Sequence, residues 1–308
     1  MTSIDIKNKR TRFLIGILIL MVANIGFSAK AVIIKLMYQY HVSTQSVVAL
    51  RMLFSVPIFI GVAFFMNQRK DNIPLNKKEL AAISGLGILS YYVSSTLDFL
   101  GLQYVSAGVE RLILFTYPTI VLVLSFFIFK RKITPPQYIA VFLTYIGVAI
   151  AFVAEKGLGH QTDMIKGAIL IGTCAFTYAL YVVLTGQLVH RVGSIKFSAY
   201  AMIAATVPAL IQSYVFDGLN IFSFPKEVYV LTAWMVVAAT VIPIFLIVEG
   251  IRIVGASNSS IIGFVGPVAT IGLASVFLND KITTLQILGT AFVLVGVFLI
   301  SWKGKLEK

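Results

Sequence analysis

Lys30, Arg51, Asp98, Glu110 and Arg111 lie inside stretches of chain that are otherwise apolar. A charge held in hydrocarbon needs a partner, water or a ligand, so such residues mark solute and ion pathways. With Lys35 close by, four positive charges face Asp98 and Glu110. That balance favours a zwitterionic or anionic solute over an organic cation. Asp98, Glu110 and Glu249 are the acids to consider for coupling to a proton or other ion gradient. Glu249 stands three residues before Arg252, a spacing that fits a local intrahelical pair better than a coupling role.

Hydroxyls, amides and aromatics at helical spacing extend this set. Asn24, Ser28 and Lys35 share one helix face; Tyr91, Ser94, Ser95 and Asp98 share a second; Tyr178, Tyr181 and Thr185 share a third. Such stripes predict the polar lining of a cavity for a metabolite with polar and apolar parts, with interhelical hydrogen bonding as the competing role for any single hydroxyl. Arg51 falls about 12 Å along its helix, near mid-membrane, and Lys30 about 9 Å from the outer end of its own. Asp98 and Arg111 are equidistant from the turn at Tyr104-Val105. A hairpin sets them at one depth, where an ion pair between them is the plain structural expectation.

The elements that must position these residues follow from composition. Of 308 residues, 58% are hydrophobic and 12% charged, against about 25% charged in soluble domains. Ten apolar segments emerge, near 13–36, 43–66, 79–102, 107–129, 135–154, 165–188, 195–215, 228–251, 256–278 and 283–302. The expectation is an all-α integral membrane protein of ten transmembrane helices. The net charge of +13 reports orientation rather than a nucleic-acid partner: 17 of the 25 Lys and Arg fall at the ends that share a side with the N-terminus, and four on the other side. Both termini are therefore expected in the cytoplasm. The basic start and the apolar run ending at Ala29-Lys30-Ala31 imitate a secretory signal, but the span is long for one and the repeat below needs it as structure.

Sliding the chain on itself by 149 residues superposes Leu97 on Leu246, Gly101 on Gly250, Ala107 on Ala256, Pro118 on Pro267, Gln137 on Gln286 and Gly147 on Gly296. A shift of 151 aligns the earlier helices, with Gly16 on Gly167 and Val56-Pro57 on Val207-Pro208. The chain thus divides into a short tail 1–12, a five-helix repeat 13–154, a linker 155–164, a second repeat 165–302 and a tail 303–308. Five is odd, so the second copy enters the membrane from the opposite side. Inverted repeats are characteristic of secondary transporters, whose halves rock about a site between them. The membrane charges occupy the first copy only; their mates are Tyr181, Met202, Ile247, Ser259 and Ser260, so building the fold does not itself require them.

Ser106-Ala107 before the fourth helix, Tyr117-Pro118 within it, the turn Lys132-Ile133-Thr134 with Gln137, and the matching Gly255-Ala256, Gly266-Pro267 and Lys281-Ile282-Thr283 resemble the EamA branch of the drug/metabolite transporter superfamily. The resemblance spans residues 13–302. It implies a ten-helix carrier of small organic metabolites in a bacterial inner membrane, often an exporter of amino acids or related compounds.

Pro118 and Pro267 are expected to kink the fourth and ninth helices near mid-membrane and free carbonyls toward a central site, as helix-kink or gating positions. Small residues four apart, Ala168 with Gly172, Ser259 with Gly263 and Gly147 with Ala151, predict close helix packing. No phosphate-cradling Gly-rich loop, H-E-x-x-H or G-x-S-x-G pattern occurs, so no cofactor and no enzyme chemistry is implied. The reading is a secondary carrier with a metabolite substrate and the lipid bilayer as its partners. The competing one is a non-transporting receptor or assembly partner that keeps the carrier fold.

Overall fold

The computed structural model describes residues 3–69, 73–130, 133–156, 163–218, 220–255, 259 and 262–303. The expectations that fall on Lys132, Ala256, Ser260, linker residues 157–162 and the tail beyond Lys303 lie outside these. The helices are α1 (Ser3–Tyr38), α2 (Thr44–Gln68), α3 (Lys77–Leu102), α4 (Ala107–Phe129), α5 (Pro135–Lys156), α6 (Met164–Val192), α7 (Ser194–Asp217), α8 (Lys226–Val254), α9 (Val265–Phe277) and α10 (Thr284–Lys303). Among the described residues the first eight are long and apolar enough to cross a membrane, and α9 and α10 add shorter apolar spans. The protein is an all-α integral membrane protein of ten helices in two inverted five-helix repeats. The segment expected as an N-terminal tail instead continues α1 from Ser3.

Local chemistry sets the helix starts. Ser43 Oγ accepts the Ser46 N–H at the head of α2, and Ser106 Oγ accepts the Val109 N–H at the head of α4. Asn76 and Glu79 form a reciprocal capping box on α3. Gly193, at φ 85°, is the single residue between α6 and α7.

Four of the predicted segments are interrupted where periodicity predicts continuity. Residues Ile88–Ser94 of α3 and Val237–Val241 of α8 are π-helical, and they begin at positions equivalent under the 149-residue shift. In both, a hydroxyl donates to the carbonyl five residues back, Ser94 to Leu89 at 2.9 Å and Thr240 to Met235 at 3.0 Å, which bonds a carbonyl of the widened turn. In α4 the helix stops at Leu114 and restarts at Tyr117. A matching turn at Gly263-Phe264 precedes α9. Pro118 and Pro267 therefore do not kink a continuous helix. They sit in the first turn of a restarted one, where a missing N–H leaves no bond unmade.

Packing obeys the two-fold relation. α5 packs on its mate α10 and α2 on its mate α7; α1 packs on α8 and α9 just as α6 packs on α3 and α4. At the α5–α10 crossing, a Cβ on Gly147 would come 2.5 Å from the Gly289 carbonyl and one on Gly289 2.6 Å from that of Gly147, so only glycine permits the approach. Gly172 has open space where a Cβ would project, so the Ala168–Gly172 pair makes no such crossing. One apolar core gathers around α1, α2, α7 and α8 with Phe59, Phe99 and Met202 buried; another joins α4, α5 and α10 through Val109, Leu112 and Val293.

Short connections alternate the helix directions, so the N- and C-terminal ends share one face of the bundle. There Glu79 pairs with Arg191 at 2.5 Å and Lys196 donates to the Ile73 carbonyl. On the opposite face Asp217 accepts from the Ser43 and Ser46 hydroxyls, and the Glu155 carboxylate takes both the N–H and the hydroxyl of Ser106.

Candidate functional site

A cavity of about 580 Å³ lies between the two repeats. α1 through α4 supply its polar wall, while α6, α7, α8, α10 and the turn before α9 supply most of the rest. The lining follows the sequence repeat closely. Phe27 and its mate Tyr178, Lys30 and Tyr181, Arg51 and Met202, Tyr91 and Thr240, Ser95 and Ile244, and Asp98 and Ile247 all reach it. Equivalent positions of both copies thus meet at one place, which is what an in-plane two-fold axis through the cavity requires.

On the polar wall Lys30 Nζ meets Asp98 Oδ2 at 2.7 Å. The hairpin pairing expected between Asp98 and Arg111 is therefore corrected: α1 touches both α3 and α4 and brings its lysine to the aspartate. Arg51, 4% exposed, donates from Nη2 to Ser95 Oγ at 3.1 Å and to the Tyr91 carbonyl at 3.3 Å, and its guanidinium lies 5.2 Å from the centre of the Phe99 ring. The π segment of α3 carries Tyr91 and Ser94 and leads into Ser95 and Asp98, so the widened turn positions this whole face. Arg111 lies against Gly266, where a Cβ would stand 2.8 Å from Nη2. Among the described residues the Nε donors of both Arg51 and Arg111 are buried without an acceptor. Both arginines line the cavity, and the guanidinium fork matches a carboxylate.

Aromatic rings continue the wall. Tyr178 stacks on Tyr181 at 5.8 Å; Tyr117 meets Tyr178 edge-on at 5.1 Å, and Tyr91 meets Tyr181 at 6.2 Å. Asn24 also lines the cavity, but its amide donates to the Leu20 carbonyl of its own helix. Ser94 reaches the lining while bonding Thr177 at 2.8 Å.

Several expected residues stand elsewhere. Ser28 is buried outside the lining, because its hydroxyl donates to the carbonyls of Asn24 and, 2.9 Å away, Gly266; it ties α1 to α9. Lys35 and Thr185 do not reach the cavity, and Glu110 is sealed behind it at 1% exposure. Glu249 chelates Arg252 through two contacts of 2.6 and 2.9 Å on the exposed surface of α8. Pro118 lines the cavity, whereas Pro267 is buried behind it. With Lys35 and Glu110 withdrawn, three cations face one acid and the lining keeps its positive balance.

Sequence reasoning overlooked Ser90, Tyr117, Phe115 and Phe264. The last two were open to discovery, since the 149-residue shift superposes them, and here their rings meet at 6.2 Å across the repeats.

The cavity is deeper on one side. Toward the face that carries the termini it extends to Leu20, Ile251, Ser259 and Val297. The mates of these four, Ile171, Leu102, Glu110 and Val148, lie toward the opposite face and are packed away from it.

The sequence model of the EamA-like transporter family matches residues 14–153 and again 165–302. An uncharacterized transporter of Bacillus subtilis, YcbK, is 31% identical over 92% of this chain and 91% of its own length. A transporter of Synechocystis is 23% identical over 94% of each chain, and an inner-membrane transporter of Salmonella typhimurium, YicL, 22% identical over 86% of this one and 88% of its own. One crystal structure shares the fold with a TM-score of 0.62 at 13% identity, covering 92% of this chain and 97% of that one. The chain belongs to the EamA-like transporter family.

Proposed function

We propose that this EamA-like protein is a secondary carrier that moves a small zwitterionic or anionic metabolite, amino-acid-like in having a carboxylate and an apolar body, out of the cell by alternating access between its repeats. The observation that carries this reading is the division of one cavity into two walls. The first repeat brings Lys30, Arg51 and Arg111 with a single facing acid, and the second brings Met202, Ile244 and Ile247. Arg51 and Arg111 hold the carboxylate through the guanidinium groups they bring to the cavity, Asn24 and the serines of α3 take further polar groups, and the apolar body lies on the second wall beside Tyr178 and Tyr181. The breaks before Pro118 and Pro267 and the two π segments are where the helices bend as the halves rock. The protein resides in a bacterial inner membrane with both termini cytoplasmic, a reading supported by the relatives and by the charge bias of the loops.

The test is uptake of an untargeted metabolite mixture into proteoliposomes, with mass spectrometry of the lumen against empty vesicles and the Arg51→Ala variant. Enrichment of carboxylate-bearing solutes that Arg51→Ala abolishes is the expected result. Enrichment of organic cations would overturn the substrate class. No enrichment under proton, sodium or exchange conditions would leave a receptor or assembly partner that kept the fold.

A further inference from the structure

The helices of the two repeats share one plan but not one conformation around the cavity. Ile251 and Ser259 line its approach from the termini face, while their mates Leu102 and Glu110 are 0% and 1% exposed. The same holds for one pair on the first helices: Asn24, half-buried, lines the cavity, and its mate Ala175 is fully buried. The cavity therefore reaches further toward the termini face, at Ile251 and Ser259, and stops short of the other, at Leu102 and Glu110. If the repeats exchange conformations, Leu102 and Glu110 become the lining of an approach from the opposite face.

Glu110 is unusual among the sealed residues. Both of its carboxyl oxygens are buried, and among the described residues the only polar group set against them is the carboxyl of Asp98, whose Oδ1 is buried as well. The ionisable groups around it are Lys30 and Lys35 on α1, Asp98 on α3, Arg111 on α4 itself, Cys174 on α6 and, farther off, Glu155 on α5, which is committed to Ser106. α9, which also packs on this part of α4, presents no ionisable residue. Lys30 is committed to Asp98, so among the described residues the sealed carboxyl has no ion pair of its own. A second buried carboxyl beside an ionised one is expensive unless it carries a proton.

We infer that Glu110 is a proton-binding site that is loaded and sealed in this conformer and opens to the face opposite the termini when the repeats exchange conformations. This rests on the carrier reading and adds a coupling ion to it. The exchange is one proton between the Glu110 carboxyl and water at that face. Loss of the proton leaves an ionised acid that can stay in an open approach but not in the sealed one, which ties closure to protonation.

Two measurements on the full-length protein test this without a known solute. Infrared titration of the purified protein reads protonated carboxyl groups through their carbonyl stretch. Wild type is expected to show such a band at neutral pH, and Glu110→Gln to lose it. A band that survives Glu110→Gln, or that Asp98→Asn removes instead, overturns the assignment. Should Glu110→Gln fail to fold, Glu110→Asp is expected to shift the band, and an unchanged band overturns it equally. Labelling is done in a Cys174→Ala background, which removes the single native thiol. A membrane-impermeant methanethiosulfonate applied at the face opposite the termini is expected to modify Glu110→Cys, and applied at the termini face to modify Ser259→Cys. Absence of the first reaction, with Ser106→Cys modified as control, refutes the opening. Solute uptake with an unchanged infrared band would sink Glu110 and spare the carrier; the band without opposite-face labelling or uptake would sink the carrier reading itself.

Discussion

The two walls of the cavity descend from one sequence and do opposite things. Where the first repeat places Lys30, Arg51 and Asp98, the second places Tyr181, Met202 and Ile247 at the same points of the two-fold plan. The fold therefore tolerates either chemistry there. What the charged wall adds is costly in a membrane and unneeded for packing, and that cost is the physical argument for its role in binding.

The comparison can be broken most sharply by giving the first wall the residues of the second. Asp98→Ile leaves Lys30 without its partner in a buried site, and unfolding in detergent should come earlier by about 3–5 kcal/mol of lost stability. Adding Lys30→Tyr should restore most of it. A double variant no more stable than the single one would show that the ion pair is not what Asp98 supplies.

Arg51→Met, again copying the mate, removes donors but leaves no orphaned acid, so the protein should fold and insert normally. Its affinity for a carboxylate-bearing solute should fall about 10- to 100-fold, as for loss of hydrogen bonds to a charged group, read from concentration-dependent uptake. Unchanged affinity would remove Arg51 from the site.

Smaller effects sharpen the contrast between crossings that need glycine and those that do not. Gly289→Val pushes a side chain against the backbone of α5 and should cost about 1–3 kcal/mol in thermal unfolding. Gly172→Val meets open space and should lie within about 0.5 kcal/mol of wild type. Least of all, Glu249→Gln breaks an exposed pair on α8 and should leave stability and uptake unaltered; a loss of uptake would return Glu249 to the coupling question.

How much of this was legible in the sequence differs by level. The helices and their duplication were, because hydrophobic runs and superposed prolines and glycines are local signals. The membership of the polar wall largely was, because buried charge is rare enough to count. Partnerships were not: the turn at Tyr104-Val105 fixes the depth of Asp98 and Arg111, but only tertiary packing decides that Lys30, 68 positions earlier than Asp98, reaches it first. Ser28 was misread for the same reason, since its acceptor on Gly266 is invisible to helical spacing. The π segments were missed because a widened turn leaves hydrophobic periodicity almost unchanged over so short a span.

The bond from Ser28 to Gly266 has a consequence for how the molecule is made. It joins residues 238 positions apart, and α1 as a whole packs on α8 and α9 rather than on a finished first half. At about 5–20 residues per second, the first helix to emerge waits roughly ten to fifty seconds for the partners that cover it. During that interval its lysine and serine must be shielded by the insertion machinery, by lipid headgroups or by α3 and α4. The two halves are thus interlocked through exchanged first helices, and assembly finishes near the end of synthesis.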